Sequence, residues 1–273
     1  MIEPGIYKDL SSDEYHGDTN SISRSALMTY AKSPFHYWAE YINPERPPKL
    51  TKKSWTLGSA FHTMILEPNK FDLEYAPKPP RVLLKDVGRV AYEKYKKAVE
   101  EIESSNRHIL SDEEYLTLLG MKKSLYAHRK AHDLILAGVY ESSYFWRDDD
   151  SGMMIKSRPD ILQDDIYIDL KTMSDVSPEH YTREMIKFGY HTQAAMVRDA
   201  LRNLENKELR YAINIGIETS YPYKVNIFII DEAAIDNAEE KYKSLLVDLS
   251  SDIVNNTWHN EEAQLIGLPK WSM

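Results

Sequence analysis

The sequence predicts an α/β protein with a mixed central β-sheet flanked by helices and a mainly helical N-terminal region. Three observations carry this. Helical periodicity dominates to about residue 140, strand-like alternation sets in at Ser143, and the order from there on is three strands, helices, two strands and a helix. No internal repeat, low-complexity run or clean linker interrupts the 273 residues, so a single domain is expected. Within it, 1–140 is mainly helical, 141–255 forms the α/β part and 256–273 is a tail.

Residues 1 to about 50 are rich in tyrosine, serine and proline, with a helix expected from Ser23 to Tyr41 and a stop at "NPERPP". "SWTLGSAFHTMILEP", Ser54 to Pro68, reads as an apolar helix that Pro68 ends. An exposed loop at 78–88 leads to two charged amphipathic helices, about 89–105 and 112–137. Ser111 and Glu114 form a capping box for the second, and Gly138 lies near its end. "SYFWRDDDSGMMIKSRPD" reads as a hairpin turning at Asp150, Ser151 and Gly152, and "IYIDLK" as a third strand. Ser177 and Pro178 open a helix, and another covers about Tyr190 to Asn203. "RYAINIGIE" and "YKVNIFII" are two further strands joined through "TSYPY", and a final helix covers about Glu232 to Val254.

Composition narrows the chemistry. With 42% apolar and 28% charged residues the chain has the balance of an ordinary globular protein. The absence of cysteine excludes disulfides, thiolate zinc sites and cysteine-ligated iron–sulfur clusters. Any metal must therefore be held by oxygen or imidazole. The N-terminus lacks a secretory leader and there is no apolar run of membrane-spanning length, so a cytoplasmic protein without membrane contact is expected. A net charge of −9 argues against nonspecific attraction to nucleic acid. It is compatible with a basic groove, and a carboxylate metal site adds negative charge of its own.

The stretch "PDILQDDIYIDLK", Pro159 to Lys171, concentrates the chemistry. On a strand Asp169 and Lys171 share one face while Ile168 and Leu170 take the other, toward the core. Asp160 follows the backbone-restricting Pro159, and a hairpin return brings its carboxylate beside Asp169. Two adjacent carboxylates repel unless a cation lies between them, and hard oxygen ligands suit Mg²⁺ or Mn²⁺. Lys171 is then placed to orient or deprotonate a water and to offset charge on a phosphate. The competing reading puts all three on a solvated strand face. Asp164 and Asp165 read as a turn between strands.

The pattern Pro159-Asp160 with Asp169-Leu170-Lys171 resembles the PD-(D/E)xK nuclease superfamily, in the variant with Asp as second acid. More closely, "SRPDILQDDIYIDLKT" followed by "YHTQAAMVRDAL" resembles the nuclease domains of the RecE (exodeoxyribonuclease VIII) group and its phage-encoded relatives. "GIYKDLSSDEYH", "SRSALMTYAKSPFHYW" and "LGSAFHTMILEP" resemble the same group, and the likeness extends over most of residues 4–230. It implies a restriction-endonuclease-like core in which His62, Asp160, Asp169 and the Leu170 carbonyl hold Mg²⁺ or Mn²⁺. Asp160, Asp169, Lys171 and Gln193 are then the catalytic residues. From the residues alone, His62 is one histidine on an apolar helix, sharing a face with Gly58, and a core role fits it as well. Many RecB-like relatives carry a tyrosine four residues after the glutamine; here that position is Val197, with Tyr190 as a substitute.

Ser23, Arg24 and Ser25 stand at a helix start, where free N–H groups and an arginine suit a phosphate; resembling exonucleases hold a 5′ phosphate comparably. The cluster Tyr30, Phe35, Tyr37, Trp38 and Tyr41 fits base stacking or core packing, and Trp55 a duplex wedge or packing. The resemblance implies degradation of linear double-stranded DNA from its 5′ end, a homo-oligomeric ring around the DNA and a single-strand annealing protein as partner. Lys85, Arg89, Lys122, Lys123 and Arg129 are channel-lining candidates, or a solvated helix face. The alternatives are a RecB-like single-strand or flap nuclease and an inactive nuclease fold that only binds.

Overall fold

The computed structural model describes residues 2–47, 57–79, 84–105, 107–136 and 138–258. The N-terminal part contains β1 (Gly5–Tyr7), α1 (Ser12–Gly17), α2 (Arg24–Lys32), α3 (Pro34–Tyr37) and a π-helical turn at Trp38–Ile42. It continues with α4 (Leu57–Leu66), α5 (Pro68–Glu74), β2 (Tyr75–Pro77), α6 (Leu84–Ser104), β3 (His108–Leu110), α7 (Asp112–Ala127) and α8 (Arg129–Leu136). The remainder comprises β4 (Val139–Tyr140), β5 (Ser143–Arg147), β6 (Met154–Ser157), β7 (Ile161–Gln163) and β8 (Ile166–Met173). Then come α9 (Pro178–Phe188), α10 (Tyr190–Glu205), β9 (Tyr211–Glu218), β10 (Val225–Ile229) and α11 (Glu232–Asn255).

The predicted α/β class holds, and the differences have local causes. The helix expected from Ser23 to Tyr41 is broken because Ser33 leaves helical geometry (φ −166°, ψ 120°) and caps the His36 amide, with Pro34 at the first helical position. Pro68 likewise begins a helix after the non-helical Glu67 as well as ending one. The loop expected at 78–88 turns helical from Leu84, with a kink at Gly88, where φ is +75°. The helix expected over 112–137 is interrupted at His128, whose ring Nδ1 accepts the Ala131 amide at 3.2 Å and starts α8. The Ser111–Glu114 capping box forms as expected.

The strands are shared between sheets rather than joined in one. The central sheet is five-stranded and mixed, in the order β10-β9-β8-β7-β4, with β8 parallel to β9 and the other pairs antiparallel. The β5–β6 hairpin stays out of it. Its edges are taken on one side by β1, with Gly5 opposite Phe145, and on the other by a bridge from Ile22 to Ile155. A short parallel pair, β2 with β3, lies apart.

Helices cover both faces of the central sheet. Ile161, Ile168, Leu170, Ile213, Ile215 and Ile217 pack against Phe61 of α4 and Leu118, Met121 and Leu125 of α7. Each such fully buried aliphatic side chain contributes about 1.5–3 kcal/mol by leaving water. On the opposite face Tyr167, Met173 and Ala212 meet Ala194, Val197 and Leu201 of α10, with α2 and α11 behind. Asp169 therefore lies under α10 and is 1% exposed, which removes the solvated-face reading for that acid. Among the described residues no helix is long and apolar enough to cross a membrane.

Candidate active site

The β7–β8 hairpin assembles the acid pair. Its turn is Asp164–Asp165, with Asp164 at φ +53°, as the sequence predicts for these two residues. The ladder pairs Ile161 with Ile168, so the next step places Asp160 across from Asp169. Directly opposed residues hold their Cβ atoms roughly 5 Å apart, so these two charges face each other at short range. Asp160 Oδ2 accepts the Leu170 amide at 2.8 Å.

Four elements bring the remaining groups to this point. His62 arrives from α4 with Nδ1 3.4 Å from Asp160 Oδ2. Lys171, on β8, forms an ion pair with Asp169 Oδ2, and its ammonium lies 4.7 Å from the centre of the Tyr190 ring. Gln193, on α10, points its amide nitrogen at Asp169 Oδ1 from 3.5 Å. The parallel register sets Asn214 of β9 beside Asp169, and Asn214 donates to Asp169 Oδ2 at 3.0 Å while accepting from the Tyr181 hydroxyl at 2.6 Å. His191 turns away, its ring 3.2 Å from the Met185 carbonyl, and Val197 is core.

The electrostatics follow from burial. Burial, then the Asp169 charge, pushes the Asp160 carboxyl well above the usual carboxylate range. Burial also acts to raise Asp169, but the Lys171 ammonium outweighs it and holds that carboxyl low. Burial, with Lys171 nearby, brings His62 down to about 4, so at neutral pH its imidazole is uncharged, the form that ligates metal.

Among the described residues no three His, Asp or Glu side chains converge as a ready-made metal cage. The reason is visible in the contacts: Lys171 and Asn214 both occupy Asp169 Oδ2, and Leu170 and His62 engage Asp160 Oδ2. The donor set nevertheless fits a hard divalent cation. Two opposed buried carboxylates, a neutral imidazole and a backbone carbonyl are Mg²⁺ or Mn²⁺ ligands in type, and positive charge between the acids would offset the burial and the repulsion that disfavour a charged Asp160.

From Asp160 a groove of about 800 Å³ leads past Gln193, Arg158 and Tyr41 to Arg24 and Ser25. Ser23 caps α2, accepting the Ala26 amide at 3.3 Å, and lies 3.0 Å from the Ser25 hydroxyl. Arg24 donates to the Phe188 carbonyl at 2.8 Å, which anchors it at the groove wall. Tyr30 is core; Tyr37, buried, and Tyr41, half-buried and stacked on it with ring centroids 4.9 Å apart, both line the groove. Trp55 lies outside the described residues, as does the side chain of Lys85; Arg89, Lys123 and Arg129 are exposed.

Three site residues escape sequence reasoning. Asn214 and Tyr181 join through the β8–β9 register and the helix crossover, which no local pattern marks. Glu141 lines the groove beside Asp160, its amide bonded to the Asp160 carbonyl at 3.1 Å and its backbone at φ +53°. Burial, then the Glu67 charge, raises its carboxyl to about 7. A non-glycine residue at positive φ is a signal of local constraint, but it is visible only in coordinates.

Over residues 23–262 the chain matches the family described as a PDDEXK-like domain of unknown function (DUF3799). Among solved structures it is similar to a candidate exonuclease from Eubacterium rectale, at 11% identity and a TM-score of 0.59, over 94% of this chain and 96% of that one. A phage-related exonuclease from Haemophilus somnus 129PT aligns at 12% identity and a TM-score of 0.34, over 74% of this chain and 96% of that one. No curated protein matches the sequence. The first of these likenesses is one of fold, a PD-(D/E)xK core with helices on both sides.

Proposed function

The chain belongs to the PDDEXK-like DUF3799 family, and on that premise we propose that it is a metal-dependent exodeoxyribonuclease of the RecE type. It hydrolyses one strand of linear double-stranded DNA from the 5′ end and leaves a 3′ overhang. What supports the reading is the meeting of His62, Asp160, Asp169, Leu170, Lys171 and Gln193 around the middle of β8, with Asp160 and Gln193 lining a groove that continues to Arg24 and Ser25. His62, Asp160, Asp169 and the Leu170 carbonyl hold Mg²⁺ or Mn²⁺. When bound, the cation supplies Lewis acidity at the phosphate and makes water acidic enough to attack near neutral pH. Lys171 offsets charge developing on the phosphoryl oxygens, Gln193 orients the attacking water, and Tyr190 holds the lysine from one side. Arg24 and Ser25 receive the terminal 5′ phosphate at the α2 N-terminus. A homo-oligomeric ring threading the duplex, and delivery of the overhang to a single-strand annealing protein, complete the proposal.

Incubating the full chain and Mg²⁺ with linear duplex, closed circular duplex and single strands tests it. The expected result is nucleotide release from the 5′-ended strand of linear duplex and none from closed circles. Preference for single strands would replace this reading with a RecB-like one. Arg24→Ala is expected to slow digestion of 5′-phosphorylated ends about tenfold or more, the worth of one charge-assisted hydrogen bond, with 5′-hydroxyl ends unaffected.

Asp160→Asn separates the site's chemistry from its stability. Asparagine is uncharged where burial and the Asp169 charge disfavour a charged carboxylate, and its side-chain oxygen can still accept the Leu170 amide. The variant is expected to melt in EDTA at or above the wild-type temperature and to show no Mg²⁺-dependent cleavage. A large loss of melting temperature would mean that the carboxylate itself supports the fold.

A further inference from the structure

Tyr167 precedes Asp169 by two residues on β8 and so shares its face. The side chain is 1% exposed and packs in the core beneath α10, yet its hydroxyl is buried without a hydrogen-bond partner. Phenylalanine would pack there without stranding a polar group, so packing does not account for the hydroxyl. The phenol lies against the acid pair: after burial, the charges bearing on it are those of Asp169 and Asp160, the Asp169 carboxylate is within reach of its O–H, and Arg24 opposes them. Asp169 Oδ2 is already engaged by Asn214 and Lys171, whereas Oδ1 takes the long, 3.5 Å approach of the Gln193 amide. A carboxylate that binds a cation through one oxygen needs a donor on the other to fix its plane.

We propose that Tyr167 is a positioning residue of this site, its O–H donating to Asp169 and holding that carboxylate with one oxygen turned toward the divalent cation. The inference rests on the metal-dependent reading of the site. It divides the outer support of Asp169 between two neighbours: Asn214, backed by Tyr181, from the adjacent strand, and Tyr167 from the same strand. The unpartnered hydroxyl is then a donor kept for the loaded site.

Tyr167→Phe removes the oxygen alone. Mn²⁺ binding to the DNA-free full chain, followed by calorimetry or electron paramagnetic resonance, is expected to weaken about tenfold or more, the usual cost of losing an outer-shell donor. Melting in EDTA should stay unchanged or rise, because an unsatisfied buried group has gone. A variant that binds Mn²⁺ like the wild type overturns the proposal. So does one that loses melting temperature in EDTA while its folded fraction keeps wild-type Mn²⁺ affinity. Asp169→Asn is the control: if wild type and Asp169→Asn bind Mn²⁺ alike, the metal reading itself fails and this inference falls with it. If Asp169→Asn abolishes binding and Tyr167→Phe does not change it, only the inference fails.

Discussion

Replacing Lys171 with methionine is expected to slow phosphodiester cleavage about 100- to 1,000-fold, the typical loss when one preorganised charge-stabilising group is removed, while Mn²⁺ binding stays intact or tightens. The separation follows from what Lys171 touches. Its ammonium sits on Asp169 Oδ2, in competition with any cation for that oxygen, and 4.7 Å from the centre of the Tyr190 ring. Methionine keeps an apolar stem against the ring and removes the charge. Asp169, 1% exposed, then loses its ion pair and is left with neutral donors such as the Asn214 and Gln193 amides. A buried carboxylate so stripped destabilises the fold in EDTA, and a divalent cation restores it. The rise in melting temperature on adding Mn²⁺ should therefore be larger for the variant than for the wild type. Single-turnover cleavage at saturating Mg²⁺ reads the chemistry, and wild-type rates would remove Lys171 from it.

The parts of this site that sequence reasoning reaches are those whose geometry is local. Strand alternation puts Asp169 and Lys171 on one face, and a hairpin whose turn is written in Asp164–Asp165 returns Asp160 to Asp169. Helix caps are equally local, and the Ser111–Glu114 box lies where its spacing puts it. His62 marks the boundary. A histidine on an apolar helix carries no pattern that separates ligand from core, and only the family resemblance directs attention to it; the coordinates add its 3.4 Å approach to Asp160. Asn214 lies beyond the boundary because its place beside Asp169 depends on which strands neighbour each other. The division of the sheets escapes for the same reason. β1 has three residues, too few for alternation to register, yet it takes one edge of β5 and completes a separate sheet.

Asp199→Ala is expected to be the most destabilising of these substitutions, by about 3–5 kcal/mol, the range for removing one partner of a buried ion pair. Asp199 is 5% exposed. Its Oδ2 accepts the Trp146 indole N–H at 2.9 Å, the Tyr242 hydroxyl at 2.6 Å and the Lys243 ammonium at 2.7 Å. Lys243 continues to Asp148 Oδ1 at 2.6 Å, and Asp148 in turn accepts the Ser151 amide at 2.9 Å in the β5–β6 turn. One carboxylate thus ties α10, α11 and the hairpin sheet together. Without it, the indole and phenol lose their acceptor in a dry interior, and Lys243 keeps only Asp148. For a chain of this length the loss corresponds to a fall of about 10 °C in melting temperature, checked by urea and thermal unfolding. Adding Lys243→Met to Asp199→Leu should recover part of the loss, since an apolar pair removes the stranded charge but not the need of Trp146 and Tyr242 for an acceptor. Cleavage per folded molecule should remain near wild type in both variants. Asp199 follows Gln193 by six residues on α10, roughly 240° further around the helix, so the network grips the side of α10 turned away from the acids. A matching loss of activity in fully folded protein would show that α10 transmits the strain to Gln193.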